Sequence, residues 1–222
     1  MKQTMKAFSG YGIAYIVWLV VVVGLLCAYP KLELHLLLNA HHTGLQDFFF
    51  KYYSVVPEWP LYILALVPLV WKKKDITFFY ALCELASGAI VQILKHMFSS
   101  PRPIVEFEHY PNMMLPLVEG VRLHHSNSFP SGHTATFFVF TTCCALLLAY
   151  YYAQSAEHNG KTRTLLNVAL VALLILAALG GYSRIYLSQH FLSDVCVGSI
   201  IGFVVPCLMF YFGRRKILKL EV

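Results

Sequence analysis

The sequence predicts an all-α, polytopic membrane protein, and three observations carry that reading. Of its 222 residues 58% are hydrophobic and 13% charged, where soluble domains carry about 25% charged residues. The mean hydropathy is +0.63. The apolar residues also gather in long runs, such as Ile13 to Ala28 and Leu165 to Leu179, close to the ~20 residues needed to cross hydrocarbon. A soluble globular protein is excluded. Seventeen Lys+Arg against eleven Asp+Glu give a formal net charge of +6. In a membrane protein the placement of positive residues says more than their sum, so no nucleic-acid partner is implied.

Taken in order, six spans can be drawn, at roughly 9–29, 55–71, 76–98, 132–153, 165–183 and 194–213, giving a six-transmembrane-helix bundle that forms a single domain over 1–222. The first begins like a signal peptide with Lys2 and Lys6, but its apolar stretch outruns an ordinary h-region and no small-x-small cleavage site follows. Leu26 before Cys27 does not suit a lipoprotein site either, so the segment reads as a retained first span. The stretch 31–56 mixes Leu34, Leu36–Leu38 and Phe48–Phe50 with Glu33, His35, His41, His42 and Asp47. It reads as an interfacial helical segment, with Tyr52, Tyr53 and Trp59 as an aromatic belt. The stretch 99–130 carries prolines at 101, 103, 111, 116 and 130 and is the longest loop. Connections of that length are usually functional or mobile. Met113, Met114, Leu115 and Leu117 could there touch lipid chains or simply form a short surface helix.

Charge orients the bundle. With the N-terminus cytoplasmic, the inner segments hold Lys2, Lys6, Lys72, Lys73, Lys74, Lys161, Arg163, Arg214, Arg215, Lys216 and Lys219, 11 of the 17 basic residues. The outer ones hold Lys31, Lys51, Lys95, Arg102, Arg122 and Arg184, so the positive-inside bias puts both termini in the cytoplasm. All six cysteines (Cys27, Cys83, Cys143, Cys144, Cys196, Cys207) fall in apolar runs without CxxC spacing, which reads as buried free thiols, with neither disulfides nor a zinc site.

Polar residues at membrane depth are costly and point to function when they gather on one face. Here Lys95 ends span three, Arg102-Pro103 follow, Pro130-Ser131-Gly132-His133 open span four, Ser183-Arg184 end span five, and His190 and Asp194 open span six. The charge-based topology puts all of them on the outer side. Lys95, Arg102 and Arg184 are three of the six exceptions to positive-inside, as expected for an anion site. Guanidinium forks suit phosphoryl oxygens, and the unpaired N–H groups where span four begins, with Gly132 allowing close approach, suit them too. Asp194, four residues after His190, can accept one imidazole N–H and leave the other nitrogen free as a nucleophile or base. His133, in the anion-binding turn, suits a general acid.

The pattern Lys95-x6-Arg102-Pro103, Pro130-Ser131-Gly132-His133, Ser183-Arg184-x5-His190-x3-Asp194 resembles the three-part signature of the type 2 phosphatidic acid phosphatase superfamily, complete and in order. The motif core covers about 95–194 and shows no departure at the motif positions. A tetrapeptide alone is weak evidence, but three parts on one predicted membrane face are strong. The resemblance implies that His190 attacks phosphorus to form a phosphohistidine, that Asp194 orients it, and that His133 protonates the departing oxygen and then activates water. It further implies phosphate binding by Lys95, Arg102, Ser131, Gly132 and Arg184, with no metal and no cofactor. The implied substrate is a lipid phosphate or diphosphate: lipid A phosphate, undecaprenyl diphosphate, phosphatidylglycerol phosphate or phosphatidate. Short loops and the lack of a large soluble domain suggest the bacterial inner membrane, with the site facing the periplasm or exterior. Nothing in the sequence bears on oligomeric state.

Plainer readings stand beside these. Lys95 could snorkel to the interface, and His190 with Asp194 could be a structural pair. Gly198-x3-Gly202, continuing the four-residue steps from His190 and Asp194, marks a small-residue stripe for close helix packing beneath the pair. Glu84, about 16 Å below Lys95 on a helix, reads as an interior polar contact. Glu106, Glu108, His109, His124 and His125 lack a zinc-ligand spacing. The competing function is a transporter or scramblase that binds phosphate without breaking a bond. Against it, the polar residues form no file through the membrane.

Overall fold

The computed structural model describes residues 2–155 and 159–218, and among them there are helices and no strands. Nine α-helices follow in chain order: α1 (Lys2–Ala28), α2 (Lys31–Leu38), α3 (Gly44–Tyr53), α4 (Pro60–Leu66), α5 (Lys74–Phe98), α6 (Pro103–Glu108), α7 (Gly132–Gln154), α8 (Gly160–Tyr186) and α9 (Leu192–Gly213), with a 3-10 helix at Val67–Trp71 after α4. Five of these, α1, α5, α7, α8 and α9, are long and apolar enough to cross a membrane.

The most enclosed helix is α7, with α1, α5, α8 and α9 packed around it. Its buried threonines keep their hydroxyls satisfied, which a low-dielectric interior demands. Thr141 donates to the Phe137 carbonyl at 3.0 Å, and the Tyr11 hydroxyl of α1 meets Thr141 at 3.0 Å and Thr142 at 3.2 Å. The approach of α9 to α7 is set by two glycines. A Cβ at Gly198 would lie 2.5 Å from the Ser131 carbonyl oxygen, and one at Gly202 would lie 2.5 Å from that of Ala135. The two backbones therefore touch, the arrangement that small-residue stripes permit, and the stripe read from the sequence has that role here. Tyr15 stacks on Phe203 with ring centroids 4.0 Å apart, pinning α1 to α9. The other face of α1, including Ile13, Val17 and Val20, is exposed apolar surface.

Five predicted spans are found as longer helices, because polar flanks continue a helix once tertiary contacts or caps support it. Asn159 caps α8 by accepting from the Thr162 backbone N–H at 2.9 Å, so that helix starts before the predicted 165. The second predicted span, 55–71, differs. Turns occupy the chain up to Pro60, and only the short α4 and the 3-10 helix follow. Pro57, Pro60 and Pro68 remove the backbone donors that a continuous helix would need. This segment still runs the length of the bundle, since Tyr62 reaches Glu84 in mid-α5 and the Ala65 carbonyl accepts from Thr77 near the start of α5.

The predicted interfacial segment is α2 and α3, whose Leu37, Leu45, Phe48 and Tyr52 are exposed. The 99–130 loop carries its helix at α6, not at Met113–Leu117, and Met114 is 88% exposed. No cysteine is disulfide-bonded, and Cys83, Cys143 and Cys196 are buried as expected. Cys144 and Cys207 are half-buried, and Cys27 is exposed. Lys219, counted in the charge bias, lies outside the described residues.

Candidate active site

The end of α5, the starts of α7 and α9, and the end of α8 meet at one end of the bundle. The loop 125–130 ties them together. Arg102 donates through Nε to the Ser126 carbonyl at 2.9 Å, Lys95 through Nζ to the Asn127 carbonyl at 2.6 Å, and the Ser128 N–H bonds the Ser100 carbonyl at 2.9 Å. Asn127 sits at φ 55°, and the Phe129–Pro130 bond is cis. Ser131 is the N-cap of α7. Its Oγ accepts from Thr134 Oγ1 at 2.9 Å, while its own N–H bonds the Asp194 carbonyl at 3.0 Å. That last bond couples the two helix starts directly.

His190 lies in the turn before α9 instead of on the helix, and Asp194 is in the first helical turn. Nδ1 of His190 is 3.4 Å from Asp194 Oδ2. The same oxygen accepts from Ser128 Oγ at 2.6 Å and from the Phe191 N–H at 3.0 Å, and Oδ1 accepts from Ser193 Oγ at 3.2 Å. A carboxylate with this many donors is held ionised and fixed, and it assigns the Nδ1–H tautomer to the imidazole. Nε2 is then the free lone pair, and it faces Arg102 Nη1 at 3.4 Å. Both residues are buried, His190 at 2% exposure and Asp194 at 3%. Burial pushes the His190 imidazole down to about 3, with Asp194 opposing and Arg102 and Arg184 adding to the fall. At neutral pH the ring carries no charge.

Three cations stand at this end of the bundle, at different depths: Arg102 against Nε2, Arg184 close enough to act on the imidazole, and Lys95 on the Asn127 carbonyl. Arg102 is buried, spending Nη1 on the Gln189 carbonyl at 3.0 Å. Arg184 is buried and its Nε has no hydrogen-bond partner among the described residues. A buried N–H without a partner is costly and points to a ligand that completes it. Lys95 is half-buried. A Cβ on Gly132 would meet only Val91, at 3.7 Å, so the chain's own packing does not require glycine there. His133 and Arg184 line a cleft of about 400 Å³ together with Glu58, Gln189 and His124. All eight residues singled out in the sequence thus converge on one end of the bundle.

Several neighbours were not singled out. His133 Nε2 is 3.1 Å from Glu58 Oε1 in the turn before α4. Ser128 braces Asp194, and Gln189 both receives Arg102 and donates to the Arg122 carbonyl at 3.0 Å. Glu58 is a lone carboxylate between Pro57 and Trp59 at the outer end of a predicted span, and nothing in that position points to His133. Glu84 is the interior contact expected of it, accepting from Thr136 at 2.5 Å and Tyr62 at 3.2 Å. Beneath the turn that carries His190, Ser188 stands at φ 50°, receives Asn39 Nδ2 at 3.0 Å and donates to the Pro116 carbonyl at 2.9 Å. This anchors α2 and the long loop to the turn that carries His190. Among the described residues no three His, Cys, Asp or Glu side chains assemble as a metal-ligand set.

The family model described as the PAP2 superfamily matches residues 76–218. Lipid phosphate phosphatase delta of Arabidopsis thaliana is 25% identical over 168 residues, covering 73% of this chain and 37% of that protein, so the chain spans little more than a third of this relative's length. Among solved structures, Aquifex aeolicus LpxE is similar with a TM-score of 0.60 and 27% identity, over 83% of this chain and 98% of that one. The transmembrane PAP2-type phosphatidylglycerolphosphate phosphatase of Bacillus subtilis shares the fold, with a TM-score of 0.61 over 97% of this chain and 98% of that one at 17% identity.

Proposed function

Because this chain belongs to the PAP2 superfamily, we propose that it is a membrane lipid phosphatase, cleaving a lipid phosphate or diphosphate through a phosphohistidine on His190. The observation that carries the reading is the buried, neutral His190 fixed by Asp194, with Nε2 facing Arg102 and Arg184 also acting on the ring. A phosphate binder needs the cations but not an oriented, uncharged imidazole beside them. In the first step Nε2 bonds to phosphorus as the phosphorus–oxygen bond to the lipid breaks, and His133 gives the departing oxygen a proton. In the second, His133 takes a proton from water, water oxygen bonds to phosphorus, and phosphate leaves as His190 is restored. Since Glu58 occupies Nε2 of His133, the other ring nitrogen handles these protons.

Charge builds on the phosphoryl oxygens in both steps, and preorganised donors are the largest source of stabilisation there. Arg184 Nε, the Arg102 fork, Lys95 Nζ, and the N–H groups of the Ser131–Gly132 turn are those donors. The open space over Gly132 supports close approach of a phosphate to the backbone. Phosphate release by the purified protein, measured on lipid A phosphate, undecaprenyl diphosphate, phosphatidylglycerol phosphate and phosphatidate, tests the reading. Binding without release on all four would leave a transporter or scramblase in its place.

Two further expectations follow from the same site. Cations and not clustered carboxylates neutralise the phosphate, so activity is expected to persist in EDTA, and orthovanadate to inhibit by taking a five-coordinate form on His190. Loss of activity in EDTA with recovery on adding a divalent ion overturns this. For topology, the bundle end opposite the site gathers Lys6, Lys72 and Arg163, with Arg163 Nη2 donating to the Lys6 carbonyl at 3.0 Å. By the positive-inside bias that end is cytoplasmic and the site faces the periplasm or exterior of a bacterial plasma membrane. A reporter inserted after Arg215 that is active only outside the cytoplasm would reverse the orientation.

A further inference from the structure

The signature residues account for one phosphate, yet the cleft beside His133 continues past them. Its rim carries Lys51, Arg122 and His124, none of which belongs to the signature. Glu58 is the only carboxylate in the lining, and it is engaged by His133. Burial, then Arg102, Arg122 and Arg184, hold the His124 imidazole below its ordinary value, so the catalytic cations and the rim share one positive field. The rim is also fixed in place. Lys51 Nζ donates to the Glu119 carbonyl at 3.0 Å, and the Arg122 carbonyl receives Gln189, the residue before the nucleophile.

Displacement at phosphorus runs in line, with attacking and leaving oxygens on opposite sides. His133, the proton donor, lines this cleft, whereas His190 does not. The cleft therefore lies on the leaving-group side. Tyr52 at its edge is 58% exposed and continues into the exposed Phe48 and Leu45 of α3, so the polar cleft opens beside an apolar surface suited to lipid chains.

Resting on the phosphatase reading above, we infer that Lys51, Arg122 and His124 form a second anion subsite, which receives a negatively charged group on the leaving side of the scissile bond. The favoured substrates are then lipids with two phosphates, and phosphomonoesters of an uncharged alcohol are the poorer ones. A second phosphate could come from a diphosphate, one bond from the broken one, or from a glycolipid phosphorylated at both ends of its sugar.

The test compares kcat/KM of the wild type, Arg122→Gln, Lys51→Gln and Arg122→Lys on an isoprenoid diphosphate, a bisphosphorylated glycolipid and phosphatidate in the same micelles. Arg122 is exposed and its bond to Gln189 uses the backbone, so its substitutions remove no contact that holds the fold, whereas Lys51→Gln also gives up the bond to Glu119. Each neutral variant is expected to lose about 10-fold more on a two-phosphate lipid than on phosphatidate, the size of one charge-assisted hydrogen bond, and Arg122→Lys to recover part of it. A selective loss on the diphosphate assigns the subsite to the adjacent phosphate, and one on the glycolipid assigns it to the distant phosphate. Equal losses on all three lipids overturn the subsite while leaving the phosphatase reading standing. A wild type that releases phosphate from none of them overturns both. The wild type gives an independent readout, since added KCl should raise KM for the two-phosphate lipid more steeply than for phosphatidate. Parallel salt profiles count against the subsite even if a variant misfolds.

Discussion

His190→Ala is expected to bring turnover to near background on every lipid phosphate, because it removes the atom that bonds to phosphorus. His133→Ala is expected to behave differently. It removes a proton donor, whose help matters most when the departing oxygen is a poorly leaving alkoxide and least when it is an acidic phosphate. Phosphomonoesters should therefore lose more than diphosphates, by a gap of about 10-fold or more within the ~10²-fold to 10⁴-fold range of general acid catalysis. Glu58→Gln should reproduce part of that pattern, since Glu58 fixes the His133 ring. Single-turnover kinetics establishes that chemistry limits the rate in each comparison. Equal losses for both substrate types in His133→Ala would make His133 a phosphate ligand and reassign the proton donor.

The other large effect is expected far from any reacting atom. In Gly198→Ala the new Cβ falls 2.5 Å from the Ser131 carbonyl oxygen, a backbone atom that cannot rotate away. Relief requires α9 and α7 to separate at the end where the Ser131 N–H holds the Asp194 carbonyl. Overpacking of this kind costs about 1–3 kcal/mol, and a shift of roughly 1 Å at a catalytic constellation costs on the order of 10²-fold in rate. Gly88→Ala is the control, because a Cβ at Gly88 in α5 meets nothing within 4 Å. Thermal unfolding in detergent and kcat/KM are to be measured for both. If Gly198→Ala matches Gly88→Ala in both, backbone contact between the helices does not position the site.

How far the sequence could be read depends on what kind of signal each feature leaves. Long apolar runs mark α1, α5, α7, α8 and α9 because a spanning helix must be apolar over most of its length. The glycine stripe on α9 is visible because helical spacing puts Asp194, Gly198 and Gly202 on one face. The signature residues are legible because each sits at a helix end, and helix ends on one side of a bundle are neighbours. Glu58 and Ser128 leave no such trace. Their partners His133 and Asp194 are distant in sequence, and only the packing of the 54–59 turns and the 125–130 loop brings them together. The second span is found as two short helices and not one long one, because its hydropathy is that of a span while Pro57, Pro60 and Pro68 divide it, and hydropathy does not weigh a missing N–H.

That divided segment has a consequence for the lipid around the protein. From Pro60 to Trp71 the two short helices rise roughly 20 Å, against a hydrocarbon thickness of about 30 Å. Where α1 or α8 meets the bilayer no adjustment is needed, but along this flank the helical part is shorter than the hydrocarbon and turns complete the crossing. The membrane accommodates such hydrophobic mismatch by thinning. A patch thinned there would adjoin Glu58 and therefore the mouth of the cleft at His133. For the proposed phosphatase, such a dip would bring a phosphorylated headgroup in the leaflet down toward His133 with no part of the protein having to open.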